Sequence, residues 1–95
     1  MGEGFAAFME NPYYRGLYEN APTDRLKRYY ELSWERAYRI EELDGNDEGD
    51  ALCKRLGDKI DALHLQREDV EYMASHAQGG PLKAMYRKWL SKFDA

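Results

Sequence analysis

Apart from its carboxylates, the chain carries three side chains with nucleophilic or metal-ligating chemistry: Cys53, His64 and His76. Cys53 and His64 are eleven residues apart. On one helix that is three turns, about 16 Å, too far for a thiolate–imidazole pair. Asp61 and His64 are three residues apart, the acid-x-x-His step of di-metal helical bundles. Such a site needs a second copy, and the residue three before His76 is Met73. Asp44, Asn46, Glu48 and Gly49 match positions one, three, five and six of a calcium loop. The twelfth position, which requires a bidentate Glu, is Arg55. No glycine-rich phosphate loop or nucleophile elbow is present. These residues predict no catalytic residue, no metal and no cofactor.

Two other sets of residues have chemistry suited to binding. One is the basic C-terminal helix, with Lys83, Arg87, Lys88 and Lys92. Preceded by Val70, Ala74 and Gly79, it resembles the second half of a helix-turn-helix that reads DNA. The glycine falls five residues after Ala74 rather than the usual four, and Gly79-Gly80-Pro81 makes a looser turn. The net charge of −4 also opposes a phosphate-driven affinity.

The other set is aromatic. Six of the eight tyrosines fall between Tyr13 and Tyr38, with Trp34 among them, interleaved with Arg15, Arg25, Arg28, Arg36 and Arg39. Tyr, Trp and Arg combine contact area with a polar tip and concentrate at binding surfaces. Two readings stay open. The rings bury themselves and let their hydroxyls reach the rim, or some of them line a protein-binding groove or a homodimer interface. The residues predicted to contact a partner are Tyr13, Tyr14, Tyr18, Tyr30, Trp34 and Tyr38.

The elements that must position these residues are all helical. Asn11-Pro12 reads as a cap followed by proline at the first helical position, opening a short helix that ends at Asn20-Ala21-Pro22. Thr23 caps the next helix, which runs to about Leu43. Its main stripe is Leu26, Tyr30, Ser33, Ala37 and Ile40, with Leu32 and Leu43 on one flank and Trp34 and Tyr38 on the other. So wide an arc implies a helix packed on two sides or half covered by another subunit. After an acidic turn at 44–50, a helix from Glu48 to His64 shows Leu52, Leu56, Ile60 and Leu63 on one face. Gly57 on this helix marks a place where a neighbour can approach closely. Leu65 falls out of phase, which places a break near Leu65-Gln66; with no Gly or Pro between Gly57 and Gly79, a single helix from 48 to 77 stays open as the alternative. Val70, Met73, Ala74 and Ala77 form the stripe of the following helix. Gly79-Gly80-Pro81 stops it, and the last helix, 81–93, carries Leu82, Met85, Tyr86, Trp89 and Phe93.

Ninety-five residues make one domain with a modest core. Residues 1–50 hold twelve acids and six bases; residues 51–95 hold six acids and eight bases. The acidic run from Glu41 to Asp50 reads as a solvated loop, or else as a mimic of nucleic acid toward a basic partner. One cysteine allows no internal disulfide, which points to a reducing compartment. No apolar run approaches the roughly 20 residues that span a bilayer, and no secretory signal is visible. A soluble, cytoplasmic protein without a membrane partner is expected.

Tyr18-Glu19-Asn20-Ala21-Pro22-Thr23, then Lys27, Tyr29 or Tyr30, Leu32 and Trp34, is similar to the opening of small uncharacterised helical proteins from gut-bacterial conjugative and integrative elements. Leu65 to Tyr72, Gly79-Gly80-Pro81 and Ala84-Met85-Tyr86 resemble their closing half. Members of that group have Ser or Thr where this chain has Gln66. The resemblance implies a bacterial mobile-element context and a small accessory or regulatory role; it carries over no site residues. Together these observations predict an all-α domain over 1–95, a compact bundle of four main helices plus a short N-terminal one. Residues 1–10 read as a short turn or a flexible lead. The expected activity is non-enzymatic binding of a protein partner or a second copy, with DNA binding by the last helix as the alternative.

Overall fold

A computed structural model of the chain describes residues 3–43 and 47–93. Six helices follow one another: α1 Glu3–Met9, α2 Pro12–Glu19, α3 Asp24–Leu43, α4 Asp47–Ala62, α5 Arg67–His76 and α6 Gly80–Phe93. No strand occurs among the described residues. The fold is all-α and compact, with a radius of gyration of 13.6 Å. Of the acidic turn expected at 44–50, residues 44–46 lie outside the described residues, as do the side chains of 41–43 and 47–50, while the backbone from Asp47 onward already belongs to α4.

The sequence predicts five helices; the sixth is α1. Two α3 residues hold it down. The Glu35 carboxylate accepts from the Gly4 N–H at 2.9 Å and from the Phe5 N–H at 3.4 Å. It thereby satisfies two of the donors that a helix start leaves open. A Cβ added at Gly4 would lie 2.5 Å from the Tyr38 Cβ, so only glycine lets the two backbones come this close. At Gly57 the neighbour found among the described residues is the Arg36 guanidinium, 3.9 Å from such a Cβ. The tight helix crossing is therefore at Gly4 and not at Gly57.

α3 is the central helix. Leu26, Tyr30 and Trp34 bury on one face, and Leu32 buries on the opposite face, toward which α4 packs. The wide apolar arc is thus covered on two sides within one subunit. The buried row runs through Trp34 and not through Ser33 and Ala37; Ala37 is exposed. The reason is α1, which brings Phe5 and Phe8 against Trp34. Helix α6 also departs from its expected stripe. Tyr86 is buried and Trp89 and Leu90 are half-buried, but Leu82, Met85 and Phe93 remain exposed.

The helix starts behave as their residues dictate. Asn11 accepts from the Tyr13 N–H at 2.9 Å, ahead of Pro12. Thr23 Oγ1 accepts from the Leu26 N–H at 3.2 Å. Between α4 and α5 the chain breaks at 63–66, where His64 adopts a left-handed φ of 51°. That conformation terminates α4, and it is one a non-glycine residue enters at a cost of about 1–2 kcal/mol.

At α5, Gln66 leaves the capping to Asp69, whose Oδ2 accepts from the Gln66 N–H at 2.9 Å. The same carboxylate accepts from Thr23 Oγ1 at 2.5 Å and Arg25 Nε at 2.7 Å. Asp69 is fully buried. Burial alone would raise its carboxyl, but the bonds from Thr23, Gln66 and Arg25 outweigh that and hold it below its ordinary 3.8. The charged form is therefore the one that stabilises the fold. Replacing Asp69 with Ala removes an acceptor shared by three donors and is expected to cost about 2–4 kcal/mol, read from urea denaturation. In the wild type this contribution is fully present above pH 3.8 and fades as pH falls below it. An Asp69→Ala variant should accordingly lose less stability than wild type on acidification through that range.

Candidate functional site

Trp34 is the centre of an aromatic stack. Tyr30, Phe8 and Phe5 lie nearly parallel to it, with ring centroids 4.9, 5.3 and 5.9 Å away. Three parallel neighbours cannot share one face of an indole, so both faces are covered. Tyr14 meets Trp34 edge-on at 5.7 Å. Helix α2 supplies Tyr14 and Tyr13, whose rings are perpendicular neighbours at 5.2 Å.

Two concavities open beside this stack, and Tyr14 lines both. The first is a shallow groove of about 310 Å³ between α1, α2 and α3, bounded by Ala7, Phe8, Asn11, Tyr14, Ala37 and Tyr38. The second is deeper, about 270 Å³, and lies between α2, α3, α5 and α6. Tyr13, Tyr30, Trp34, Met73 and Tyr86 are among its walls, and Ala77 to Gly79 and Leu82 form its α5–α6 side. Hydrogen bonds from tyrosines frame it. The Tyr13 hydroxyl donates to the His76 carbonyl, and the Tyr72 hydroxyl donates to the Leu17 carbonyl at 2.9 Å. Both bonds tie α2 to α5.

Of the six residues predicted to contact a partner, Tyr13, Tyr14, Tyr30 and Trp34 converge on the deeper cavity, and Tyr38 lies in the groove. Tyr30 and Trp34 are core residues, 4% and 7% exposed, and reach the cavity as its inner wall. Tyr18 lines neither space. Its ring packs edge-on against Phe5 at 5.0 Å, its hydroxyl donates to Glu31 at 2.9 Å, and Lys27 lies over its face. Tyr38 is half-buried beside the Arg39 guanidinium, 5.7 Å from its ring centre. Sequence reasoning missed Tyr86, Met73 and the Ala77–Gly79 wall as partners of these rings. No local signal carries that juxtaposition, because it is made by the α5–α6 pair folding back onto α2.

The remaining candidates are dispersed. Lys83, Arg87, Lys88 and Lys92 are all exposed on α6. By helical period they form two four-spaced pairs on either side of Ala84 and Ser91. His64 lies near Asp61, Leu65 and Trp89, and Cys53 is half-buried and unpaired in disulfide terms. His76 Nδ1 donates to the Tyr72 carbonyl at 2.9 Å. Among the described residues no three His, Cys, Asp or Glu side chains are grouped as a metal would require. No helix among them is long and apolar enough to cross a membrane.

Comparison with protein families, with curated proteins and with solved structures finds no match to this chain.

Burial raises the phenols of Tyr30 and Tyr86 well above their ordinary 10.0, and neighbouring phenols add to it. For Tyr30 these neighbours include Tyr86, Tyr72 and Tyr13. A raised phenol stabilises the fold fully below 10.0 and loses that contribution as pH rises toward its folded value. Tyrosinate absorbance should therefore stay incomplete above pH 10.0 while the protein is folded, then complete together with loss of helical circular dichroism. Tyr30→Phe with Tyr86→Phe should shrink that late step by two tyrosines.

Proposed function

We propose that this protein is a non-enzymatic interaction or accessory protein. It docks a protein partner, or a second copy of itself, on the face built from α1, α2 and α3. The observation that carries the reading is the open groove between Phe8, Tyr14 and Tyr38; Tyr14 lines the deeper cavity as well. Half-buried tyrosines around a concavity supply the aromatic anchors that dominate protein interfaces. Exposed Arg15 and Arg36 on the same helices supply polar contacts at the margin. Tyr30 and Trp34 act in this reading as rigid support. The role proposed is that of a cytoplasmic, mobile-element accessory factor, resting on the resemblance of the Tyr18–Trp34 and Leu65–Tyr86 stretches.

The test pairs capture from the native host, quantified by mass spectrometry, with sedimentation of the pure protein. Tyr14→Ala combined with Tyr38→Ala should lose a protein, or a self-associated species, that wild type retains, while melting close to the wild-type temperature. A wild type that stays monomeric and captures nothing the variant loses would count against the reading.

A second reading is favoured by the exposure of all four cations on α6, a helix with no acidic residue. It makes the protein a small DNA-binding regulator. DNA retention at low salt, falling steeply as salt rises and abolished by Arg87→Glu with Lys88→Glu, is its expected signature. Absence of any mobility shift at low salt would dismiss it.

A further inference from the structure

The deeper cavity has a chemistry of its own, separate from the groove in which a protein would dock. Two of its wall residues, Tyr30 and Tyr86, are more than nine-tenths buried. Among the described residues neither hydroxyl has a hydrogen-bond partner, and neither residue holds an interaction there beyond its ring contacts and neighbouring phenols. Yet among the described residues no polar side-chain atom is sealed off without a partner. Both hydroxyls therefore reach open space, and the space their residues share is this cavity. Covering such a phenol with a ligand that offers no acceptor costs about 1–3 kcal/mol. An occupant that accepts from it avoids that cost.

Size and charge define the occupant. A cavity of about 150 Å³ holds one benzene ring, and drug-sized ligands need roughly 300–1,000 Å³. At about 270 Å³ this one suits a single ring with a substituent, or two fused rings. Among the described residues no Lys, Arg, Asp or Glu lines it, and its His76 imidazole is already bonded through Nδ1 to the Tyr72 carbonyl, so a charged ligand would lose its hydration without a carboxylate, ammonium or guanidinium partner. Five aromatic rings could instead form a cage for a quaternary ammonium. That use requires ring faces turned inward, and both faces of Trp34 are covered by Phe5, Phe8 and Tyr30. The rim of an aromatic ring is its electropositive part. Ring edges and phenol protons together favour an electron-rich oxygen.

We propose that this cavity binds a small uncharged aromatic molecule of one or two rings bearing a carbonyl acceptor, with the oxygen taking the hydroxyl protons of Tyr30 and Tyr86. The inference does not rest on protein docking, which uses Tyr38 and the groove beyond Tyr14.

Four probes of similar size separate the alternatives: acetophenone, ethylbenzene, benzoate and benzyltrimethylammonium, each titrated by ligand-observed NMR. Acetophenone should bind about three- to tenfold tighter than ethylbenzene, the ratio one or two net hydrogen bonds provide. Benzoate and the ammonium should bind more weakly than both. Tyr30→Phe with Tyr86→Phe should bring acetophenone down to ethylbenzene while leaving ethylbenzene unchanged. Ala77→Trp, which fills the cavity from the residue just past α5, should abolish binding of both; it replaces the double variant as the site test if that variant fails to fold. Equal affinity of acetophenone and ethylbenzene for wild type would overturn the proposal. So would a preference that survives the double variant, tightest binding of the ammonium, or binding of none of the four at millimolar concentration. None of these results bears on whether Tyr14→Ala with Tyr38→Ala loses a protein partner.

Discussion

The buried carboxylate of Asp69 holds two helix starts at once. It accepts from the Gln66 N–H at the start of α5, and from Thr23, whose hydroxyl oxygen in turn accepts from the Leu26 N–H at the start of α3. Arg25 closes the arrangement from the solvent side and also reaches Glu68. A fully buried charge is tolerated only when its acceptor sites are filled, and three donors fill them here. Leu26 and Val70, each with no exposed surface, sit directly beside these caps. The polar junction therefore fixes the relative placement of α3 and α5 before apolar contact adds its larger but less directional share. The walls of the deeper cavity inherit that placement, because Tyr30 and Trp34 continue along α3 and Met73 and His76 along α5.

The opposite end of α3 has a second polar junction built on Glu35. Its two oxygens serve α1 through the Gly4 N–H and α3 itself through Arg39. With α1 pinned there, Phe5 and Phe8 reach Trp34 and complete the stack. Four aromatic rings in near-parallel contact form a stiff body whose pieces come from two helices far apart in sequence. Tyr14 leans on that body edge-on, which is why one ring can border both the groove and the cavity.

Much of this was legible in the sequence where physics is local. Asn11-Pro12, Thr23 and the break near Leu65-Gln66 act through their own backbone geometry, and each lies where the residues place it; α5, however, stops at His76, ahead of Gly79-Gly80, and Gly80 opens α6. Helix type and the Val70–Met73 face followed from period. What was not legible depends on partners distant in sequence. Trp34 reads as a flank of α3 because its partners, Phe5 and Phe8, sit in a segment too short and glycine-rich to read as a stable helix. Gly57 reads as a close-approach site, yet the tight crossing is at Gly4. Period alone does not show which helix comes near. The apolar row of α6 reads as core, but α5 and α3 cover only its Tyr86 side, so Leu82 and Met85 stay in contact with water. For the expected aromatic set of Tyr13, Tyr14, Tyr18, Tyr30, Trp34 and Tyr38, the division between groove and cavity was not legible, nor was the placing of Tyr18 in neither.

The choice between core and surface is a false one for these tyrosines. A tyrosine ring buried in a stack contributes the apolar area of a phenylalanine, and its hydroxyl must still find a partner or open space. Tyr13, Tyr18 and Tyr72 find a carbonyl or a carboxylate. Tyr30 and Tyr86 find none, and full closure of α6 onto α3 would seal both phenols at about 1–3 kcal/mol each. That penalty is comparable to the gain from burying one further side chain, about 1.5–3 kcal/mol. The two effects oppose each other at this one interface. The space between α3 and α6 keeps both phenols unsealed, and Leu82 remains exposed at its edge.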